Sequence, residues 1–158
     1  MKYECTLLAV SDMVRAKQFY CQLLGMEVTA DFGANITLSN VISLQTLESW
    51  QGFVNKPAGE IRFGHNAAEL YFEEDDLDVF LEKLANWPNI HYVHPLKEHR
   101  WGQRVVRLYD PDGHIVEVGE NMAVVVRRFL AGGMTVAETA RRMEVPEAFI
   151  LANREDVF

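Results

Sequence analysis

The feature that most limits what this chain can fold into is a plan that occurs twice. A short apolar run, Glu4 to Val10, leads into Ser11-Asp12. A short side-chain oxygen at that point can accept the unpaired first-turn amides of a helix, so Asp12 reads as an N-cap. Val14, Ala16, Phe19, Tyr20, Leu23 and Leu24 then recur at helical spacing. Gly25 is suited to end that helix in the left-handed conformation. Extended runs follow at about Glu27 to Phe32, Asn35 to Leu38 and Val41 to Leu47, separated by the turn residues Gly33 and Ser39-Asn40. The second copy runs Glu69 to Glu74 as a strand, Asp75-Asp76 as the cap, and Leu77, Phe80, Leu81 and Leu84 as a helix face closed by Trp87-Pro88. Extended segments come after it near Ile90 to Val93, Arg104 to Tyr109 and Ile115 to Val118. The last two flank Asp110-Pro111-Asp112-Gly113, where proline presets the turn and glycine relieves its exit. Two βαβββ modules, about residues 4–48 and 67–120, with Asp12 and Asp76 as equivalent caps, give an α+β fold.

Between the modules, Glu48 to Ala68 carries Trp50, Phe53 and Phe63 among prolines and glycines and reads as a structured linker, its aromatic residues covering a core edge or forming a lid. Beyond residue 120 a C-terminal extension, 121–158, reads as three short helices: Ala123 to Leu130, Val136 to Met143 after a Thr135 cap, and Pro146 to Ala152, with Pro146 in the first turn.

Composition narrows the function classes. The chain is 49% hydrophobic, enough for a packed core, and carries a net charge of −8, which repels phosphate backbones unless a local basic patch offsets it. The tail has a helix-turn-helix look, but its five arginines are balanced by four glutamates and one aspartate. Its apolar residues Val136, Ala140, Met143, Phe149 and Ile150 suit packing against the rest of the protein or a second subunit, and nucleic-acid binding is disfavoured. The longest apolar run, Met122 to Val126, is too short for a bilayer, and no secretory signal opens the chain. Two cysteines, Cys5 and Cys21, make no disulfide framework. A cytoplasmic protein with no membrane partner is expected.

The assembled residues resemble the vicinal oxygen chelate superfamily of glyoxalases, bleomycin-resistance proteins and extradiol dioxygenases. The matching pieces are Val10-Ser11-Asp12 with Phe19-Tyr20 and Leu24-Gly25, Phe72-Glu73 with Asp76, and Trp101-Gly102 leading to Asp110-Pro111-Asp112-Gly113-His114 and Glu117. The resemblance covers about residues 4 to 120. It implies paired modules whose mixed sheets curl, barrel-like, around a cavity on the face opposite the helices. It also implies a homodimer, a small-molecule ligand and, in metal-dependent members, a divalent ion held by first-strand and last-strand side chains.

Carried over residue by residue, and checked against strand alternation, the resemblance places Cys5 and Glu69 at first-strand ligand positions, each seven residues before its capping aspartate. Glu117 falls at the last-strand position, and its first-module counterpart is Ser43 or Gln45. Cys5, Glu69 and Glu117 are thus the metal candidates, and Glu117 also the candidate general base. The set lacks the usual histidines and mixes soft and hard donors. A solvated sheet face accounts for Glu69 and Glu117 equally well, and Cys5 suits a small buried hydrophobe better than a ligand. His91, His94, His99 and His114 lie near turns and strand ends, where surface placement is expected. Tyr71 shares the cavity face with Glu69. Trp101 could stack on a planar ligand, or pack at the cavity mouth, and Arg104 or Arg107 could pair with a ligand carboxylate.

Three functions follow from the resemblance. The first is a glyoxalase-like lyase, isomerase or dioxygenase-type enzyme using a metal as Lewis acid. The second is a metal-free protein that sequesters a small molecule in an apolar cavity. The third is a ligand-responsive regulator working through the tail.

Overall fold

The computed structural model describes residues 1–155. The C-terminal extension is therefore described up to residue 155, and its last three residues lie outside the described ones. The chain forms two compact units. The first is Met1–Ala68 with Tyr109–Ile115, and the second is Glu69–Leu108 with the chain from Val116 onward.

In the first unit, β1 (Thr6–Val10), β2 (Val28–Asp31), β3 (Asn35–Leu38) and β4 (Ile42–Thr46) form a four-stranded sheet in the order β1-β4-β3-β2. β1 runs parallel to β4, and the other neighbours are antiparallel. α1 (Met13–Lys17) starts at Asp12, whose side chain accepts from the Arg15 amide as expected of the cap. The helix then widens into a π-helical stretch, Gln18–Leu23, where a continuous α-helix was expected. Gly25 is left-handed (φ 73°) just beyond it. Ala16, Phe19, Tyr20 and Leu23 are buried together with Ile36, Leu38, Ile42 and Leu44. The segment taken as a linker opens with a helix, α2 (Leu47–Val54), which lies against β4 and β1.

The second unit repeats the plan: β5 (Glu69–Glu74), α3 (Leu77–Ala85), β6 (His91–Glu98), β7 (Arg104–Tyr109) and β8 (Ile115–Glu120), with strand order β5-β8-β7-β6. Asp76 caps α3 by accepting from the Val79 amide. Leu77, Phe80 and Leu84 are the buried face of α3, and Val105, Val106, Leu108, Val116 and Val118 are buried on the central strands. Truncating one such side chain, Phe80 for example, costs about 3–5 kcal/mol through lost transfer energy and the cavity left behind.

α4 (Met122–Ala131), α5 (Val136–Met143) and α6 (Glu147–Asn153) follow. Thr135 and Glu138 form a reciprocal capping box on α5. Pro146 precedes α6 as its cap residue, one position earlier than expected. Val125, Val126, Ala140, Met143 and Ile150 form one buried cluster, with Phe129, Leu130, Val136 and Phe149 packed against it. The apolar face expected to dock elsewhere is thus closed largely upon itself. Among the described residues no helix is long and apolar enough to cross a membrane.

Candidate functional site

Strand alternation sorts the second unit's side chains, and their partners identify the two faces. Arg104 donates to Asp78 on α3 (2.9 and 3.3 Å) and to Glu120 (3.1 Å), so the Arg104 side of β7 is the helix side. Arg107, three positions on, points to the other face. There its Nε donates to Glu69 (2.9 Å), its Nη2 is in close contact with the Glu117 carboxylate, and its Nη1 lies 3.2 Å from His94 Nε2. The two arginines named together as ligand partners therefore have different surroundings. Arg104 is committed beside α3, and only Arg107 shares a face with Glu69, Tyr71 and Glu117.

The Arg107 cluster is polar and partly sheltered. Glu117 is 5% exposed and the Arg107 side chain 23%, whereas the Glu69 side chain keeps 39% of its exposure. His94 Nδ1 is 2.8 Å from the Pro95 carbonyl. That carbonyl can only accept, so Nδ1 is the donor there and Nε2 faces the Arg107 guanidinium.

Toward the β6–β7 turn the same face carries a hydrogen-bonded line. Trp101 Nε1 donates to Gln103 Oε1 (3.2 Å), and Gln103 Nε2 donates to Tyr71 OH (2.8 Å) and to the Glu120 carbonyl (3.0 Å). Tyr71 OH in turn donates to Glu73 (2.9 Å), and Tyr71 is 49% exposed. Gly119 makes room for this line, because a Cβ there would sit 2.8 Å from Gln103 Nε2 and 3.2 Å from the Tyr71 ring. His99 stacks on Trp101 with centroids 4.2 Å apart. Burial, then the charges of Arg107 and Lys97 and neighbouring His94, pull the His99 pKa down, which favours a neutral ring for stacking. Sequence reasoning missed Gln103 and His94. Gln103 was within reach of the alternation argument, since it shares parity with Arg107. His94 was not, because β6 was expected to end at Val93.

At the equivalent points of the first unit the contacts are between neutral side chains. Cys5, one residue before β1, has its Sγ 3.5 Å from Ser43 Oγ, which is 3.1 Å from Thr37 Oγ1. Gln45 instead accepts from Asn35 (2.8 Å) and donates to Ser49 (2.5 Å). Of the two alternatives left open, Ser43 is the one that meets Cys5. Ionic chemistry in this unit gathers elsewhere. Asp110 accepts at Oδ1 from the amides of Asp112 (2.9 Å) and His114 (2.8 Å), and its Oδ2 takes Tyr20 OH and His114 Nδ1, both at 2.8 Å. Burial alone would raise the Asp110 pKa and lower that of His114. Their mutual hydrogen bond and charge outweigh this, so Asp110 is held below and His114 above the ordinary value. His114 is thus not the surface residue expected.

These side chains were tested against a divalent ion. Glu69 and Glu117 both contact the Arg107 guanidinium, which occupies their side of the site and repels a second cation. Cys5 belongs to the other unit, and its neighbours are hydroxyls. Among the described residues no group of three or more His, Cys, Asp and Glu side chains is arranged to hold a metal. The donor set does not fit the ion.

A family model described as a glyoxalase-like domain matches residues 3–123. A crystal structure of a protein of unknown function from Agrobacterium tumefaciens str. C58 is 33% identical with a TM-score of 0.68, over 77% of this chain and 94% of that one. A glyoxalase-related enzyme from Fulvimarina pelagi is similar at 16% identity and TM-score 0.64, over 77% and 89%. A lactoylglutathione lyase from Agrobacterium tumefaciens is similar at 24% and 0.57, over 77% and 94%. The last two likenesses are of fold. No curated protein matches the sequence.

Proposed function

The chain belongs to the glyoxalase-like family of the vicinal oxygen chelate superfamily, and from that premise we propose that it is a metal-independent small-molecule-binding protein. Its ligand would lie on the open sheet face of the second unit. The observation that carries this reading is the Arg107 guanidinium held between Glu69 and Glu117, where a metal-dependent member would need free donors.

The face has the makings of a binding surface: exposed aromatic area at one end and a fixed polar cluster at the other. Tyr71 and Trp101 supply contact for a planar or apolar body. Glu69, Arg107 and Glu117 sum to one negative charge, so the cluster favours hydrogen-bond donors on the ligand. A ligand carboxylate reaches Arg107 only by displacing Glu69, the more exposed of its two partners. In this reading Glu117 anchors Arg107 instead of acting as a general base. The homodimer and the cytoplasmic location implied by the resemblance belong to the same proposal.

The test is metal content together with ligand response. Protein purified without a metal-affinity tag and dialysed against Mn²⁺, Ni²⁺ or Zn²⁺ should retain no stoichiometric ion. Compounds that quench Trp101 should lose about ten-fold or more in affinity when Tyr71 is changed to Ala, the loss of a central aromatic contact. One equivalent of metal on the wild type, lost in a Glu69→Ala/Glu117→Ala double variant, would overturn the proposal in favour of a metalloenzyme.

A further inference from the structure

The tail is the part of the chain that the family does not account for. The family model stops at residue 123, so nearly all of α4 and the whole of α5 and α6 lie beyond it. Their clustered apolar residues explain how the three helices hold together, but not what they hold.

Several contacts of these helices meet one short segment, the β6–β7 turn. Arg128 of α4 donates through Nη2 to the Gly102 carbonyl (2.6 Å) and to Glu120 (3.0 Å). Glu120, only 1% exposed, is shared with Arg104, so Arg128 is fixed at both ends. The ring of Phe129 lies so close to Gly102 that a Cβ there would sit 2.1 Å from its Cζ, and Gly102 itself is left-handed at φ 90°. Arg142 of α5 reaches Glu98 at one end of the turn (3.2 Å), and Glu144 receives Arg100 (2.8 Å). Both Arg128 and Arg142 also lie over the Phe129 ring, at 5.0 and 5.7 Å.

The turn so gripped is closed internally by Gly102 N–H to the His99 carbonyl (2.8 Å) and His99 N–H to the Gln103 carbonyl (2.8 Å). The residues on either side of Gly102 are Trp101 and Gln103, the first two members of the line that ends at Tyr71. We infer that the C-terminal helices are a clamp on the β6–β7 turn, and that Arg128 and Phe129 are positioning residues that set the Trp101 indole and the Gln103 amide for the bound ligand. A turn joining two strands is ordinarily among the first parts of a fold to open locally. Here four side chains from two added helices restrain it. The inference rests on the reading of this face as the ligand site, and it assigns the tail to that site instead of to nucleic acid or a separate partner.

The test uses the full chain with Trp50→Phe and Trp87→Phe, which leaves Trp101 as the sole indole of the three. Acrylamide quenching and anisotropy of Trp101 are read in Arg128→Met, in Arg142→Glu, and in Arg142→Glu combined with Glu98→Arg. With the clamp cut, the quenching constant of Arg128→Met should rise about two-fold or more as the turn opens locally. Arg142→Glu should give a smaller rise, and the charge swap should return it toward the parent. A folded Arg128→Met protein with unchanged quenching overturns the clamp. Should that variant fail to fold, the exposed Arg142–Glu98 pair decides: no rise, or a rise the swap does not reverse, overturns it equally. The quenching needs no ligand, so the clamp can fail while the binding proposal stands, and the reverse.

Discussion

The two units carry the same strand order on opposite electrostatic terms. On the sheet face away from the capped helices, the second unit places Glu69, Arg107 and Glu117 in ionic contact. The first places Cys5, Thr37 and Ser43 in neutral hydrogen-bond contact at comparable points of its own sheet. Conversely, the first unit's ionic group is a closed node, in which the Asp110 side chain is fully buried and accepts from Tyr20, His114 and two amides. A closed ion pair therefore sits at the β7–β8 turn, grouped with the first unit, and a partly open one on the sheet face of the second. The difference teaches that the repeat specifies where side chains meet, while the residues at those points decide whether the meeting is structural or available to a ligand.

The largest way to break the contrast is to remove its central cation. Arg107→Leu strands the buried Glu117 carboxylate, and such losses cost about 3–5 kcal/mol. The Glu69 share is smaller, because that side chain is more exposed. Chemical denaturation should show this cost, and adding Glu69→Gln and Glu117→Gln should recover most of it, since the penalty lies in the unpaired charge. A triple variant as unstable as Arg107→Leu alone would mean that Arg107 acts through its packing.

The closed node should show itself through pH. His114 has a raised folded-state pKa, so its contribution is complete below the ordinary histidine value of about 6.5 and is lost as pH rises through the raised value. Asp110 has a lowered pKa, so its contribution is present above the ordinary aspartate value of about 3.9 and fades as pH falls through the lowered one. The unfolding free energy of the wild type, read by chemical denaturation, should therefore exceed that of His114→Gln most between these limits. The gap should be about 1.5–3 kcal/mol, as for a hydrogen bond to a charged group, and should narrow toward pH 9. A gap that stays constant from pH 5 to 9 would show that the imidazole is neutral throughout.

Much of this organisation was legible before any coordinates, and the reason is periodicity. β3, β5, β7 and α5 fall at their expected bounds because apolar alternation or helical spacing marks them, and Asp12, Asp76 and Thr135 cap as their short side chains predict. The widened Gln18–Leu23 turn was not legible, because π and α spacing share the same apolar face over so few residues. α2 was hidden by its Gly52 and by the prolines and glycines that follow. Glu69 and Glu117 were named together as candidates, but the guanidinium that contacts both was not anticipated. Naming Arg104 and Arg107 together overlooked that three residues along a strand reverses the face. His114 was hidden for a different reason: its ring is met edge-on by Phe63, a residue distant in sequence.

Smaller changes in the first unit sharpen the contrast from its neutral side. Tyr20→Phe removes the fully buried hydroxyl that donates to the charged Asp110 and should cost about 1.5–3 kcal/mol. Ser43→Ala, which takes one hydroxyl from a neutral pair of contacts, should cost about 0.5–1.5 kcal/mol and leave ligand response untouched.

The smallest effect is expected at Cys5. Its Sγ meets Ser43 at 3.5 Å, and a thiol is a weak donor, so Cys5→Ala should change stability by under about 1 kcal/mol. Glu69, at the matching point of the repeat, holds a guanidinium, and Glu69→Ala should alter both stability and the response of Trp101 to quenching ligands. Measured side by side, the two substitutions ask whether equivalence of position carries equivalence of role. If Cys5→Ala abolished ligand response as fully as Glu69→Ala, the neutral face of the first unit would have to be counted as part of the binding surface. The confinement of the site to the second unit would then fall, even though every contact described for Arg107 remained in place.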